Sequence, residues 1–244
     1  MSRAWWPVVL SLVVACAPRP VLERAIAARG GPMAGLIRRS DVRVTMGEQG
    51  AWQWRTVAAL PERYAWSIVT NDLPNHYLFD GSVVRGFVGS RAVSADASPE
   101  AALRTHARFA AVANLDVLRL PGILVRVTAT SEPSGTRLDV VFTDRDDRYE
   151  VWLDADDLVR RVAGPIDLSP LARGRLLATY DDFARVAGRR IARQIRYQVD
   201  GNVLADEHVT SACVLVESPP ATAFKSPAGL PECPEARSPI QDSH

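Results

Sequence analysis

The sequence predicts a mainly β fold in which a strongly curved antiparallel sheet wraps around its own helices. Apolar and polar residues alternate with period two through residues 40–88 and again through 123–217, which is typical of half-buried strands. One stretch between these regions has apolar residues at helical spacing. Turn signals recur regularly, and the patterns give about ten or eleven strands, too many for a flat sheet.

A short helix and an antiparallel meander make up the predicted first half. Residues 21–29 have a helical pattern that ends at Gly30-Gly31-Pro32, where helix breakers follow one another. Asp80-Gly81, between two apolar runs, is the strongest hairpin signal in the chain. The strands are expected at residues 40–46, 51–59, 64–68, 75–79 and 82–88.

Large aromatic side chains are concentrated on these strands. Alternation places Trp52 and Trp54 on one face of their strand, and Tyr64, Trp66 and Ile68 on one face of the next. Such a surface can bind acyl chains, gaining about 25 cal/mol per Å² of buried apolar area. The same side chains can also simply form the hydrophobic core. The candidate lining residues of an apolar cavity are Trp52, Trp54, Tyr64, Trp66, Ile68, Tyr77, Phe79 and Phe87.

A central amphipathic helix is predicted from its start signal and its apolar stripe. Ser98 is the expected N-cap, Pro99 follows in the first turn, and the pattern continues to about Asn114. One amphipathic helix between two sets of strands has to cover a sheet face. On this stripe, His106 is expected to be a buried, hydrogen-bonded histidine rather than a ligand. We call the part of this helix and its extension that covers the sheet the lid. Its predicted residues are Leu103, His106, Phe109, Val112, Leu115 and Leu118.

The second half is again predicted to consist of strands, followed by a tail. A helical turn that starts at Ser169-Pro170 is expected to interrupt them. Proline and serine dominate from residue 218 and no period survives, so we expect residues 218–244 to be loosely ordered. Cys213 and Cys233 are close in sequence, and a disulfide is their natural pairing in an oxidising compartment.

The beginning of the chain predicts export and a lipid anchor. A positive residue, Arg3, precedes an apolar run that is shorter than the ~20 residues needed to cross a bilayer. Because Cys16 directly follows the small residue Ala15, Val13-Val14-Ala15-Cys16 resembles the lipobox of bacterial lipoproteins. That resemblance implies that Cys16 is acylated; a plain signal peptide with an incidental cysteine is the alternative. Ala17 is not the aspartate that retains lipoproteins in the inner membrane, so we expect outer-membrane anchoring, facing the periplasm.

These features divide the chain into four parts. Residues 1–15 are the expected signal peptide, 16–21 a lipidated tether, 22–217 one folded domain, and 218–244 the tail. No flexible linker of low complexity interrupts the regular turn spacing before the tail, so we expect a single domain.

Composition and motifs argue against several classes of function. The net charge is +1, which gives no electrostatic reason to expect a nucleic-acid partner. The chain has no Gly-x-Ser-x-Gly elbow, no His-Glu-x-x-His and no phosphate loop, so neither an enzyme nor a cofactor is expected. His76 and His208 have no companions at metal spacing. The acidic groups that begin at Asp144 and Asp154 are interpreted as solvated hairpin turns rather than calcium sites, so no metal is expected.

Five short motifs together resemble one family. They are Ala-Ala-Arg-Gly-Gly at 27–31, Ala59-Leu60-Pro61-Glu62-Arg63-Tyr64, Phe79-Asp80-Gly81, Tyr180-Asp181-Asp182-Phe183 and Val186-Ala187-Gly188-Arg189. In this order and spacing, over residues 22–217, they are similar to the LolA/LolB-like superfamily of periplasmic lipoprotein carriers, which includes mycobacterial lipid-binding lipoproteins. Family members usually have a proline shortly after the counterpart of Gly188, whereas this chain has Arg190-Ile191-Ala192.

The resemblance implies an unclosed half-barrel whose concave face, covered by helices, holds acyl chains. It further implies an outer-membrane-anchored carrier or acceptor in envelope lipid or lipoprotein trafficking. Its expected partners are a lipid or an acylated lipoprotein, the membrane through Cys16, and other envelope transport proteins. The alternative is a non-enzymatic envelope interaction or stress-sensing module with a filled core. A hydrolase with an unfamiliar site is a third hypothesis, which would require an acid/base pair inside a pocket.

Overall fold

A computed structural model describes most of the chain. The described residues are 18–45, 49–59, 63–69, 73–93, 97–115, 118, 120–129, 135–144, 147–168 and 172–233. The expected signal peptide, the acylation site at Cys16, the Ser169-Pro170 turn and residues 234–244 lie outside them.

The described residues form two α-helices and thirteen strands, and most of these elements follow the hydrophobic periodicity of their segments. The helices are α1 (Pro18–Ala28) and α2 (Ala97–Ala113). The first six strands are β1 (Gly35–Val44), β2 (Gly50–Ala59), β3 (Arg63–Val69), β4 (Pro74–Phe79), β5 (Val84–Val88) and β6 (Arg91–Val93). The others are β7 (Ile123–Ala129), β8 (Thr136–Phe142), β9 (Asp147–Leu153), β10 (Val159–Leu168), β11 (Ala172–Val186), β12 (Arg189–Val199) and β13 (Asn202–Leu215).

All thirteen strands belong to one antiparallel sheet that is not closed. Its order is β6-β5-β4-β3-β2-β1-β13-β12-β11-β10-β9-β8-β7, so two meanders join at the pairing of β1 with β13. Strands β6 and β7 are the two edges, and the sheet curves around α1 and α2 as a half-barrel with helices. The predicted fold class is confirmed. The strand count exceeds the expected ten or eleven, and β6, with three residues, is too short to show a period in the sequence.

The largest part of the core lies between the helices and the second meander. In α1, the buried side chains at helical spacing are Val21, Leu22, Ala25 and Ile26. These pack with residues of α2 and of β8 to β13 in one continuous cluster. Helix α1 starts at Pro18, so the expected tether of residues 16–21 is already helical from that point.

The two glycine-containing motifs at 27–31 and 186–189 lie in contact. A Cβ atom on Gly30, whose φ is +102°, would lie 2.2 Å from the carbonyl oxygen of Gly188. The backbone N–H of Arg190 donates to the carbonyl oxygen of Arg29 at 2.7 Å. The C-terminal end of α1 is therefore attached to the turn between β11 and β12.

A C-terminal segment packs against the convex side of the sheet. Phe224 is 0% exposed and Leu230 is also buried, in a cluster with Ile37, Val57 and Leu78. The sulfur atoms of Cys213 and Cys233 are bonded, which joins this segment to β13. Residues 218–233 are thus packed, which corrects the expectation of a loose tail that begins at residue 218.

Candidate functional site

The aromatic residues of β2 to β4 form a continuous patch on the concave face. Trp66 is the centre of this patch: its ring centroid lies 5.1 Å from those of Trp54 and His106, and 6.4 Å from that of Tyr77. Tyr64 stacks on His106 at 6.1 Å. Because Tyr64 and Trp66 of the sheet both contact His106 of α2, the patch lies directly beneath the helix.

The remaining predicted lining residues divide between the two faces. Phe79 packs with Tyr64 and Leu103 on the concave side, and Trp52 packs with Val42 near the end of β1. Ile68 follows Trp66 by two residues on β3 and so shares its face.

Phe87 lies on the convex face, so its predicted place in the cavity lining is wrong. It pairs with His76, the neighbour of Tyr77 on β4, and residues directly opposite each other share a face of the sheet. Its ring packs with Leu78 and Phe224 in the cluster beneath the C-terminal segment.

Helix α2 bridges the two halves of the curved sheet. Leu103 and Ala107 pack against the aromatic patch of the first meander. Phe109 and Val112 point to the second meander, where the Phe109 ring meets Tyr149 edge to face at 6.1 Å. Leu115 and Leu118, beyond the helix, are buried in the same cluster. The predicted lid residues thus lie together under one helix and its extension.

Polar contacts attach α2 at both sides of the half-barrel. Arg104 donates to the carbonyl oxygen of Ser82 at 2.8 Å, and its guanidinium lies 4.7 Å from the ring centroid of Phe79. Arg108 pairs with Asp147, and also with Asp144 at 2.5 Å. Because the Asp144 side chain is largely exposed, water can replace this pair at little cost.

A cavity of about 100 Å³ lies between the two helices and the sheet. It is smaller than the roughly 300–1,000 Å³ of ordinary ligand sites. Of the residues predicted from the sequence, only Tyr64 and Leu115 line it. Its other walls include Arg29, Arg38, Thr56, Asn114, Tyr180 and Arg190.

A buried ion pair lies on the concave face beside this cavity. The Glu207 side chain is 0% exposed, and its carboxylate accepts hydrogen bonds from Ser40 Oγ at 2.7 Å and from the Tyr197 hydroxyl at 2.6 Å. The Nη2 atom of Arg38 lies 3.7 Å from a Glu207 oxygen, outside hydrogen-bond distance. The hydroxyl groups therefore hold the carboxylate, while the guanidinium contributes charge.

Burial and this ion pair set the protonation of the surrounding groups. Burial lowers the pKa of Arg38, but attraction by Glu207 and by nearby tyrosines outweighs it, so the pKa is raised and Arg38 stays charged. Burial lowers the pKa of His106 to about 4, so this histidine is neutral at pH 7. Burial raises the pKa of Tyr64 to about 12, so its hydroxyl keeps its proton.

Sequence reasoning missed Arg38 and Glu207. The strand that contains Arg38 was expected to start at residue 40, whereas β1 starts at Gly35, and alternation from Val42 and Ser40 places Arg38 on the inward face. Glu207 has polar neighbours in the sequence of β13, and in this part of the strand buried residues alternate with more exposed ones. The available sequence signal was that each of the two strands has a charged residue at a position where alternation predicts an inward-facing side chain.

The acidic groups serve turns and ion pairs. Asp154 Oδ1 accepts from the backbone N–H groups of Asp156 and Leu158, each at 2.9 Å, which closes the β9–β10 turn. Asp144 and Asp147 hold Arg108. Within the ranges that the structure describes, no three His, Cys, Asp or Glu side chains are grouped as metal ligands would be. No helix in those ranges has the length and apolar character needed to cross a membrane.

Comparison with known proteins identifies the fold. No family model and no curated protein matches the chain. Among solved structures, a LolA superfamily protein from Nitrosomonas europaea has a TM-score of 0.53 at 11% identity, covering 86% of this chain and 98% of that one. An outer membrane lipoprotein-sorting protein domain from Vibrio parahaemolyticus has a TM-score of 0.50 at 10% identity, with 82% and 94% covered. A DUF1329 family protein from Desulfovibrio piger has a TM-score of 0.52 at 9% identity, with 81% and 93% covered. The resemblance found in the sequence is thereby confirmed as a LolA-like fold.

Proposed function

We propose that this protein is an outer-membrane lipoprotein of the periplasm that binds acyl chains between the concave face of its sheet and α2. The chains belong to a lipid or to another lipoprotein, and the protein acts as carrier or acceptor without covalent chemistry. The observation that carries this proposal is the aromatic patch around Trp66, covered by one amphipathic helix with polar attachments at its two sides. The LolA-like fold and the lipobox at Cys16 support it.

Binding requires α2 to move, because the cavity is too small for an acyl chain. The helix and its extension bury Leu103, Phe109, Val112 and Leu115, and exposing four such side chains costs roughly 6–12 kcal/mol. An acyl chain with about twelve buried methylenes, at about 0.8 kcal/mol each, contributes about 10 kcal/mol. The two quantities are similar, so a chain can exchange with the helix in either direction, as transfer requires.

The small cavity also favours a second function. An envelope interaction or stress-sensing module would have a filled core, and about 100 Å³ is close to that condition. The two functions differ in one property. A carrier opens and binds acyl chains when they are offered, whereas a module whose core is filled by its own side chains binds none.

The test is native mass spectrometry and lipid extraction of the full chain, purified from the cell envelope in detergent. We expect a bound acyl species that Trp66→Ala reduces at least about tenfold, because this variant removes the centre of the patch. Phe87→Ala is the matched control, since it removes a buried ring from the convex face. It should lower stability and leave the bound lipid unchanged. A folded wild-type protein that stays empty when offered phospholipids and acylated peptides would contradict the proposal and favour the filled module.

A further inference from the structure

The polar lining of the cavity is strongly biased towards positive charge. Three arginines, Arg29, Arg38 and Arg190, line it, and its described lining includes no Asp or Glu. Arg38 pairs with Glu207, which lies beside the cavity. The charged side chains of the described lining are thus all arginines, in a region where burial strengthens electrostatic attraction.

Arg38 has hydrogen-bonding capacity that its neighbours do not use. A guanidinium has five N–H donors. In the described part of the chain, its one hydrogen bond runs from Nε to Thr56 Oγ1 at 3.4 Å, near the distance limit. The side chain keeps 16% of its surface exposed, and it lines the cavity. The terminal nitrogens are thus held in the wall without a close acceptor.

Further nitrogen atoms on the same face have no hydrogen-bond partner among the described residues. Trp66 lies in one cross-strand row with Arg38, since Thr56 of β2 pairs with both residues. The Nε1 atoms of Trp54 and Trp66 and the Nε2 atom of His106 are buried, and none has a hydrogen-bond partner among the described residues. The two indole N–H groups are donors, and burying a donor without an acceptor is unfavourable, whereas Nε2 of a neutral histidine can be a donor or an acceptor. Two buried indole donors on the face that carries Arg38 indicate a ligand that brings oxygen atoms.

We infer that the cavity takes an amphiphile with an anionic head group, a carboxylate or a phosphate, whose oxygens bind the Arg38 guanidinium while the acyl chain lies on the aromatic patch beneath α2. A guanidinium offers two parallel N–H donors to such an anion. A hydrocarbon chain alone would cover the charge and give it no partner, which is unfavourable. The cavity has room for several water-sized groups, hence for a head group, before the helix moves. This inference rests on the proposed function and specifies its ligand.

Matched lipid pairs test the inference. The full chain is titrated with each lipid in detergent, and the bound fraction is measured by native mass spectrometry. The affinity for palmitic acid is compared with that for hexadecanol, and the affinity for 1-palmitoylglycerol 3-phosphate with that for 1-palmitoylglycerol. Within each pair the chain is the same and only the anionic group differs. We expect the anionic member of at least one pair to bind about tenfold more tightly or better, and the pair with the larger ratio identifies carboxylate or phosphate as the head group.

The variants remove the cation without leaving a buried charge. Arg38→Met alone would leave Glu207 unpaired, so the principal variant is Arg38→Met with Glu207→Gln, which keeps the side-chain shapes. It should lose the preference for the anion and bind hexadecanol as the wild type does. Arg43→Met, on the exposed face of the same strand, is the control and should keep the preference. Thermal unfolding establishes that each variant is folded.

The outcomes separate the inference from the proposed function. If the wild type binds the alcohol and the monoacylglycerol as tightly as the anions, or if the double variant keeps the preference, the inference fails and acyl-chain binding stands. If none of the four lipids binds, the inference fails, and the proposed function fails with it when phospholipids and acylated peptides also stay unbound.

Discussion

The disulfide between Cys213 and Cys233 gives a prediction whose size follows from the chain. The two residues are 20 positions apart. In the chain-entropy model, closing a loop of that length stabilises the folded state by about 3 kcal/mol. The segment that it fastens is also packed, with Phe224 and Leu230 buried against the convex side. Replacing both cysteines by serine should therefore lower the free energy of unfolding by about that amount.

For a chain of this size, about 3 kcal/mol corresponds to a decrease in Tm of roughly 6–12 °C. The measurement is thermal unfolding followed by circular dichroism, on the wild type and on Cys213→Ser with Cys233→Ser. The wild type under reducing conditions should unfold at the temperature of the double variant, while the double variant should not respond to the reductant. A wild-type Tm that reduction leaves unchanged would refute both the loop argument and the role of the bond in holding residues 218–233.

Three further predictions concern α2, its histidine and the core. Arg108→Glu places like charge beside Asp147, so lipid uptake in stopped-flow fluorescence should become faster; unchanged uptake would contradict the attachment of α2. His106 has a pKa of about 4 in the folded protein against about 6.5 unfolded, so stability present above pH 6.5 is lost as pH falls towards 4, by up to about 1.4 kcal/mol per pH unit. In urea unfolding, His106→Gln should lose less free energy of unfolding than the wild type as pH falls through this window. An equal loss in both proteins would contradict the assignment of this pH dependence to His106. Gly164→Ala places a Cβ 2.2 Å from the buried Tyr149 ring and should cost about 1–3 kcal/mol in the same assay; a neutral substitution would mean that the ring can move.

Much of the fold could be predicted because most strands have an alternation of their own and each helix has its own apolar stripe. Ser98 and Pro99 placed the start of α2 within a residue or two, and Gly30 marked the end of α1. The packing of residues 218–233 could not be predicted in the same way. Phe224 and Leu230 are isolated apolar residues in a segment rich in proline, and no period indicates that they are buried.

The candidate site was predicted in part, because local patterns do not determine which strands meet. The Trp54 and Trp66 faces follow from alternation along each strand. Ser40 and Glu207 hydrogen-bond across 167 positions, and a bulge between Arg39 and Ser40 shifts the register of that pairing. At this separation nothing local in the sequence indicates that the two strands meet, so the pairing of Arg38 with Glu207 became visible only in the structure.

The pairing of β1 with β13 has a consequence for how this protein is made. The first and last strands of the chain, β1 and β13, meet at the centre of the sheet, so the two meanders can join only after nearly the whole domain has been synthesised. Until then, β1 is an edge strand whose unpaired N–H and C=O groups can hydrogen-bond to other chains. Topologies dominated by such distant pairings fold slowly, in milliseconds to seconds. The half-barrel is thus completed only when the last strand of the chain pairs at the centre of the sheet.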